Sequence, residues 1–412
     1  MPSPGGQFLS DEFGDIEDYF VSDYKIIDEY IGDQLWVWGA SYNGRNAINT
    51  HTGSQPKTPV TTFAGGTNWK QVSGGVEYGG GVKTDGTLWM WGKYLNGRLG
   101  VSATSGVSGT DGILTPVTTF AGGTNWKQVS CGGDITAATK TDGTLWVWGT
   151  NNFSVTLGTN GGSGVSTPVT TFSGGINWKR VVTTGPHSAA IKTDGTLWVW
   201  GTSNFGVLGD NQSATNKATP ITTFAGGTNW KEVAIGNNYS MAAIKTDGTL
   251  WTWGLNKADE FPGDIAGQLG TNDNTNKLTP VTTFAGGTNW RTLISANHAI
   301  KTDGTLWTWG LNDSGVLGTN DIIRRSTPVT TFAGGTNWKS GNRGGNTIGA
   351  IKTDGTLWTW GSTGQGQAIG DNQSVDRSTP VTTFAGGTNW KQVDVGNDFM
   401  LAVKSGLTVD FS

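Results

Sequence analysis

A chain of 412 residues with 67 Gly, 21 Trp and only 14% charged residues is long enough for two or three ordinary domains, unless it is built from repeats. Its formal net charge is −4, and the charge of about +4 outside residues 1–33 is too weak to indicate a nucleic-acid-binding surface. Its single cysteine, Cys131, excludes an internal disulfide framework. No apolar run is long enough to cross a membrane, and the chain does not open with the basic and apolar leader of a secreted protein. We therefore expect no membrane span and folding in a cytoplasm.

The first 32 residues differ from the rest of the chain in charge and pattern. Residues 1–33 hold nine acids and one base, Lys25. Helical spacing places five large apolar side chains on one face: Ile16, Phe20, Tyr24, Ile27 and Ile31. We predict a short acidic amphipathic helix here, ended by Gly32. Two hypotheses stay open: the helix packs back on its own chain, or it docks the protein into a larger assembly.

Residues 33–412 consist of seven copies of one repeat. The motif LWxWG occurs seven times at steps of 51 to 57 residues, and TTF(A/S)GG(T/I)NW also occurs seven times. Each unit is predicted to form four strands, which we name A (NWKxV), B (the small apolar run before KTDG), C (TLWxWG) and D (TPVTTF). The Asp-Gly pair between B and C is a strong hairpin signal. Four antiparallel strands per repeat are typical of one propeller blade, so we predict an all-β, seven-bladed β-propeller.

The two ends of the chain predict how this ring closes. KTDGTLW occurs six times, not seven. The repeats begin directly at strand C (residues 32–39) and stop after strands A and B (residues 389–404). One blade should therefore form from both ends, which removes open sheet edges. Residues 405–412 could add an extra strand or a cap.

The tryptophans are predicted to form the structural core between blades. In strand C the two tryptophans stand at i and i+2, so both project to the same face of the blade. The fourteen are Trp36, Trp38, Trp89, Trp91, Trp146, Trp148, Trp198, Trp200, Trp251, Trp253, Trp307, Trp309, Trp358 and Trp360. The alternative, that they stack on sugars as in a lectin, would require a ligand site with the same residues in every blade.

Comparison of the seven units predicts where binding takes place. The distance from the Pro of TPV to the Trp of NW is ten residues in every unit, whereas the C–D stretch varies from 18 to 26 residues. Because strands alternate in direction, A–B and C–D loops share one face of the disc, and loops on a rigid scaffold are where recognition residues concentrate. We predict contact residues on this variable face. They are Tyr94, Arg98, Lys257, Glu260, Phe261, Arg324, Arg325 and Arg343. The alternative is that these loops simply tolerate drift.

The sequence gives little basis for catalysis, a metal or a cofactor. The three histidines, His51, His187 and His298, fall in different units and lack metal-ligand spacing. No nucleophile elbow, phosphate-binding glycine loop or EF-hand loop is present. The GTNDN and GDNQS tracts contain Asp and Asn and could hold a cation, but polar turns are the preferred interpretation. We predict a protein that is not an enzyme.

Several repeat motifs resemble the RCC1 (regulator of chromosome condensation) family. They are GTSNFGVLGDN (201–211), TPVTTF (327–332), GPHSAAIK (185–192) and DGTLWVWG (194–201). The family's histidine is matched only at His187 and at His298. The resemblance implies a seven-bladed propeller, and nucleotide exchange on a small GTPase is one activity that it implies. No residues of this chain carry over the wedge-like insertion used for exchange.

The stretch DYFVSDYKIIDEYIGDQLWVWG also resembles the leader of RCC1-repeat proteins of marine tailed phages. Three functional hypotheses follow. The first is a virion component of tail or baseplate, fastened to protein partners by the N-terminal segment and presenting the variable face to a surface receptor. The second is a cellular protein-interaction scaffold or exchange-factor-like propeller, located in the cytoplasm. The third is a lectin-like module that binds glycans.

Overall fold

Short strands make up nearly all of the regular structure. The computed structural model describes residues 32–49, 55–62, 66–101, 112–236, 239–256, 267–364 and 366–406. Within these ranges it contains twenty-eight strands and two 3₁₀ turns, Tyr42–Gly44 and Asn152–Ser154. No helix in the described ranges is long and apolar enough to cross a membrane. The predicted N-terminal helix, with Ile16, Phe20, Tyr24, Ile27 and Ile31, lies outside the described residues.

The strands follow in chain order with nearly constant length. The first fourteen are β1 (Gln34–Gly39), β2 (Val60–Thr61), β3 (Trp69–Gly74), β4 (Tyr78–Lys83), β5 (Leu88–Gly92), β6 (Ile113–Thr118), β7 (Trp126–Cys131), β8 (Ile135–Lys140), β9 (Leu145–Gly149), β10 (Val165–Thr170), β11 (Trp178–Thr183), β12 (His187–Lys192), β13 (Leu197–Gly201) and β14 (Lys217–Thr222). The others are β15 (Trp230–Ile235), β16 (Ser240–Lys245), β17 (Leu250–Gly254), β18 (Lys277–Thr282), β19 (Trp290–Ser295), β20 (His298–Lys301), β21 (Leu306–Gly310), β22 (Arg325–Thr330), β23 (Trp338–Gly344), β24 (Thr347–Lys352), β25 (Leu357–Gly361), β26 (Arg377–Thr382), β27 (Trp390–Val395) and β28 (Phe399–Lys404).

These strands form seven antiparallel four-stranded sheets, which confirms the predicted seven-bladed propeller. Blades 1 to 6 are β3–β6, β7–β10, β11–β14, β15–β18, β19–β22 and β23–β26, each in the order A, B, C, D. The A strands of neighbouring blades contact one another all the way round. They therefore line a central channel, which encloses about 1110 Å³.

The seventh blade, here the closing blade, has the strand order β2-β1-β28-β27 and is built from both ends of the chain. Strand β1 pairs with β28 along its whole length, from Gln34 opposite Lys404 to Gly39 opposite Phe399. The backbone N–H of Gly406 donates to the carbonyl of Gly32 at 3.1 Å. Gly32 and Gly406, the two ends of the described chain, thus lie where the other six blades have their B–C hairpin. Ser405 and Gly406 add no strand, and residues 407–412 lie outside the described residues.

Strand D ends earlier than predicted, before the Thr-Phe of TPVTTF. In blade 1 strand β6 stops at Thr118, and the N–H of Gly122 donates to the carbonyl of Thr119 in a turn. The chain must reverse here to reach the inner strand of the next blade. Phe120 consequently sits outside the sheet with 66% of its surface exposed.

Tryptophan packing joins each blade to the one before it. Trp230 and Trp253 of blade 4 pack on the aliphatic face of blade 3, which includes Ile191 and Val199. The second C-strand tryptophan of each blade is fully buried, and Trp253 Nε1 donates to the carbonyl of Val207 in the preceding blade at 2.9 Å. The first C-strand tryptophan is half-buried. Burying an indole removes roughly 200 Å² from water, so this packing is a major source of ring stability.

Two glycines that recur in blades 1 to 6 are required by this close packing. In blade 3 the hairpin Gly195 adopts a φ of +80°, and a Cβ there would lie 2.0 Å from the carbonyl oxygen of Thr228. In the C–D loop of the same blade Gly209 has a φ of +63°, and a Cβ would lie 2.8 Å from Nε1 of Trp253. Both positions combine left-handed backbone with direct contact to a neighbouring group, so only glycine fits.

Candidate interaction faces

Strand direction sorts the loops of the propeller onto two opposite faces. The A–B loops (such as 75–77 and 345–346) and the C–D loops (such as 202–216 and 311–324) form the variable face. The B–C hairpins (such as 193–196) and the D–A turns (such as 223–229) form the other face, here called the hairpin face. The hairpin face is uniform because each hairpin binds the next blade: the carbonyl of Gly195, for example, accepts from the N–H of Trp230 at 2.9 Å.

An ion-pair cluster stands on the variable face across blades 1 and 2 and the closing blade. Glu77, in the A–B loop of blade 1, contacts Lys93 at 2.5 Å, Arg45 at 3.6 Å and Arg98 at 3.8 Å. Arg98 also pairs with Asp134 of blade 2. Burial lowers the pKa of the Arg45 guanidinium, and Glu77 opposes that effect. The cluster holds neighbouring loops of three blades together.

The predicted contact residues differ in how far the structure buries them. Arg98 is only 2% exposed and lies over the Tyr78 ring, so its side chain is engaged inside the fold. Tyr94 is half-buried and packs against the same core cluster. Lys257, Glu260 and Phe261 lie outside the described residues.

The three remaining arginines lie in or beside blades 5 and 6. Arg325 is half-buried and pairs with Asp321 at 2.6 Å, and Arg324 beside it is also half-buried. Arg343 lines the channel, where its Nη1 donates to Asn297 Oδ1 at 2.8 Å. Desolvation lowers its pKa to about 10. The structure therefore does not bring all the predicted residues into one continuous surface, and their part in binding stays a prediction.

Exposed apolar side chains occur on both faces, and on the variable face they differ from blade to blade. Apart from the phenylalanines of the D–A turns and Ile176, the exposed large hydrophobic residues of the described chain all lie on A–B or C–D loops. They are Tyr42, Val76, Leu95, Phe153, Ile322, Ile323 and Val375, with exposed fractions between 39% and 80%. Unlike the phenylalanine repeated in the D–A turns, these side chains have no counterpart of the same type in every blade.

A buried polar network lies in the channel wall near the variable face. Asp394 accepts from the N–H of Gly74 at 2.8 Å and from Asn342 Nδ2 at 2.9 Å. Burial raises its pKa from 3.8 to about 7. In blade 5, His298 Nδ1 lies 3.0 Å from Asn297 Oδ1, and burial lowers the pKa of this histidine well below its usual value. The contacts of Asp394 link the closing blade to blades 1 and 6.

The two histidines in the described residues are buried in different blades. His187 is 2% exposed, and burial lowers its pKa to about 4. His298 is fully buried in another blade, and His51 lies outside the described residues. In the part of the chain that the structure describes, no three side chains of His, Cys, Asp or Glu gather as a metal site.

The hairpin face carries charged rings that sequence reasoning did not single out. The second residue of every A strand is basic, and together these residues form a cationic collar at the hairpin-face end of the innermost strands: Lys70, Lys127, Lys179, Lys231, Arg291, Lys339 and Lys391. Of these, Lys127, Lys179 and Lys231 line the channel. Further out, each hairpin aspartate accepts from the threonine two residues later, as Asp194 does from Thr196 Oγ1 at 2.7 Å. The lysine that ends each B strand lies over two tryptophans; Lys192 Nζ is 4.6 and 4.2 Å from the rings of Trp178 and Trp198.

Six exposed phenylalanines form a belt on the D–A turns. Phe120, Phe172, Phe224, Phe284, Phe332 and Phe384 are each between 64% and 67% exposed. The TTF motif occurs in every unit, but its prediction as part of strand D gave no reason to expect an exposed phenylalanine. Only the turn geometry shows that they leave the sheet.

Comparison with known proteins identifies the repeat. Models of the regulator of chromosome condensation (RCC1) repeat match residues 85–139, 194–243 and 303–339, and a second model of that repeat matches residues 126–154. The mitochondrial RCC1 domain-containing protein RUG3 of Arabidopsis thaliana is 34% identical over 190 residues, which cover 45% of this chain and 41% of RUG3. The ultraviolet-B receptor UVR8 of the same plant is 30% identical over 239 residues, 55% of this chain and 49% of UVR8. The chain thus spans less than half the length of these two relatives.

A longer relative and two solved structures extend the comparison. The human E3 ubiquitin-protein ligase HERC2 is 26% identical over 85% of this chain, but the match covers 7% of HERC2. Yeast RCC1 (Prp20) bound to Kap60 superposes with a TM-score of 0.76 at 18% identity, over 92% of this chain and 91% of that one. Saccharomyces cerevisiae Prp20p in a second structure gives 0.74 at 17% identity, over 96% and 95%. At such identities the superpositions show a shared fold.

Proposed function

This chain belongs to the RCC1 repeat family, and we propose that it is a non-enzymatic propeller that binds a protein partner through the variable face. The observation that carries the proposal is the separation of roles between the two faces. The hairpin face repeats one set of residues in every blade to hold the ring together. The loops of the variable face differ from blade to blade and expose apolar side chains.

The properties of the relatives support a protein as the partner. Yeast RCC1 was solved in complex with Kap60, and the second yeast structure was described with binding to Gsp1p and histones. Those partners belong to the yeast protein. For this chain we infer only that an RCC1-type propeller can bind a protein on one of its faces. The ligase activity named for HERC2 is not carried over, because the match covers 7% of that protein.

Two other hypotheses receive less support. The relatives named above are cellular proteins, so nothing in the comparisons favours the virion component, and the cellular interaction scaffold is the better supported alternative. Sugar stacking on the tryptophans is disfavoured because the second C-strand and the A-strand tryptophans are at most 2% exposed.

The test uses the full chain as bait in an extract of its native cells. Substitution of both Ile322 and Ile323 by serine removes two side chains that are 65% and 63% exposed on a C–D loop. The matched control is Ile176→Thr on the hairpin face, which is 73% exposed and which restores the threonine found in the other units.

We expect the native chain and the control to retain one specific protein, and the double variant to lose it at least tenfold, with unchanged thermal unfolding. Retention by the double variant together with loss in the control would assign binding to the hairpin face and overturn the proposal. Failure of the native chain to retain any protein would overturn it as well.

A further inference from the structure

Charge is segregated across this molecule more strongly than its net charge of −4 suggests. Of its 27 basic and 31 acidic residues, the hairpin face holds fourteen bases, which are the seven residues of the collar and the seven lysines that end the B strands. Against them stand seven carboxylates, six in the hairpins and that of Asp33. Residues 1–31 hold eight acids and one base. The basic face and the acidic segment therefore carry formal charges of +7 and −7.

The positive charge of the hairpin face is concentrated at its centre. The A strands are innermost, so the collar surrounds the channel mouth, while the hairpin aspartates lie further out between strands B and C. Lys70, Lys127, Lys179 and Lys339 are exposed. Hydrogen bonds to threonine hold the pKa of the hairpin carboxyl groups below the usual range, as at Asp194, so these groups stay ionised. A ligand for this mouth must bring negative charge to the axis.

A β-bulge explains why these cations reach the rim. In every blade the register of strands A and B shifts between the first and third residue of strand A, as between Trp178 and Arg180. The residue between them, such as Lys179, falls in the bulge. The side chain of this second residue therefore does not follow the two-residue alternation of a regular strand. In strand A the tryptophan packs between blades, and the third residue contacts the next A strand.

The acidic segment joins the propeller on the hairpin face, next to the collar. Gly32 and Asp33 precede strand β1, and the carbonyl of Asp33 accepts from the N–H of Trp69 at 3.1 Å. Lys391, a member of the collar, contacts both carboxylate oxygens of Asp33, at 2.6 and 2.8 Å. Asp28 and Glu29 lie within four residues of Gly32, which limits their distance from it to about 14 Å. A tethered segment of this kind acts at a local concentration that a free partner rarely reaches.

We propose that the collar binds the acidic segment, residues 1–31 of the same chain, across the hairpin-face mouth of the channel. Carboxylates of the segment pair with the exposed lysines, so the inner hairpin face is occupied by the chain itself. This leaves the variable face as the surface open to a partner.

The test is carboxyl-to-amine coupling with a zero-length carbodiimide on the full chain, read by mass spectrometry. At about 0.01 M salt, where screening extends over about 30 Å, we expect links from the acids of residues 11–29 to Lys70, Lys127, Lys179 or Lys339. At about 1 M salt, where screening acts within about 3 Å, the yield should fall at least fivefold. Lys57 and Lys93, both on the variable face, serve as internal controls and should stay unlinked to the segment.

A charge-reversal pair makes the result specific. Replacement of Lys127 and Lys179 by glutamate lowers the collar charge by four, and we expect the remaining links to the segment to drop at least fivefold. The control replaces Lys57 by glutamate and should leave them unchanged. Circular dichroism and tryptophan fluorescence establish that each variant is folded.

Three outcomes would overturn the proposal: no links at low salt, links mainly to variable-face lysines, or links that join different molecules in a mixture of isotope-labelled and unlabelled protein. The last outcome would assign the collar to a second copy. The affinity-capture test of the variable face with the Ile322 and Ile323 variant is independent of these three outcomes.

Discussion

Asp394 provides a stability prediction with a definite pH profile. Its carboxyl group lies in the channel wall and takes hydrogen bonds from Gly74 and Asn342. Burial raises its pKa from 3.8 to about 7. Between pH 4 and 7 the unfolded chain therefore carries an ionised Asp394 while the folded chain keeps it protonated. Folding stability should fall as pH rises through this window.

The magnitude follows from the size of the pKa change. At about 1.4 kcal/mol per pH unit, a move from 3.8 to about 7 corresponds to ~4 kcal/mol as an upper figure. Asp394→Asn keeps an acceptor for the Gly74 N–H but cannot ionise. We expect the free energy of unfolding of the variant, relative to the native chain, to increase steadily between pH 4 and 7 and then level off.

The assay is urea unfolding followed by tryptophan fluorescence at pH values from 4 to 8. Ser130→Ala is the control, because Ser130 Oγ accepts from the N–H of Thr183 in an equivalent contact between blades at 3.1 Å. It should shift stability by about 1 kcal/mol equally at every pH. A difference between Asp394→Asn and the native chain that does not vary with pH would refute the reasoning.

Three further predictions concern single residues and use the same unfolding assay. Burial lowers the pKa of His187 to about 4, so on acidification the unfolded chain gains this proton before the folded chain does. His187→Asn should therefore reduce the fall in the free energy of unfolding between pH 6.5 and 4 by up to ~3 kcal/mol; an unchanged acid profile would contradict this. Lys192→Met keeps the stem over Trp178 and Trp198 but removes the cation, and it should cost about 1 kcal/mol; no cost would show that the cation–π contact adds nothing. Trp200→Ala should cost roughly 3–5 kcal/mol and Trp198→Ala less, since Trp200 is fully buried and Trp198 half-buried; equal costs would contradict the difference in burial.

Much of the fold could be predicted because each repeat contains sequence signals for its strands and for the hairpin between them. Asp-Gly marked the B–C hairpin in six units, and its absence from the seventh located the closing blade. The structure confirms the hairpins through the pairing of strands B and C in blades 1 to 6, and the closing blade through the pairing of Gln34 with Lys404. Seven internal copies act as comparisons within one chain, and their uniform and variable stretches separated the two faces correctly.

The site was harder to predict because exposure depends on details that spacing does not record. Arg98 lies in a long variable loop, yet ion pairs and a tyrosine ring hold it inside the fold. Lys179 reads as an ordinary strand residue, and only the β-bulge beside Trp178 turns it toward the channel mouth. Phe224 belongs to a strand-like motif, but the turn that begins at Thr223 leaves it 67% exposed.

Hydrogen–deuterium exchange of the full chain, with and without the partner recovered by affinity purification, tests the assignment of the two faces most directly. We predict that the partner slows exchange in loops of the variable face, with residues 311–324 and 362–376 among them, and leaves the hairpins at 193–196 and 246–249 unchanged. Protection confined to the hairpins and the D–A turns would contradict the account.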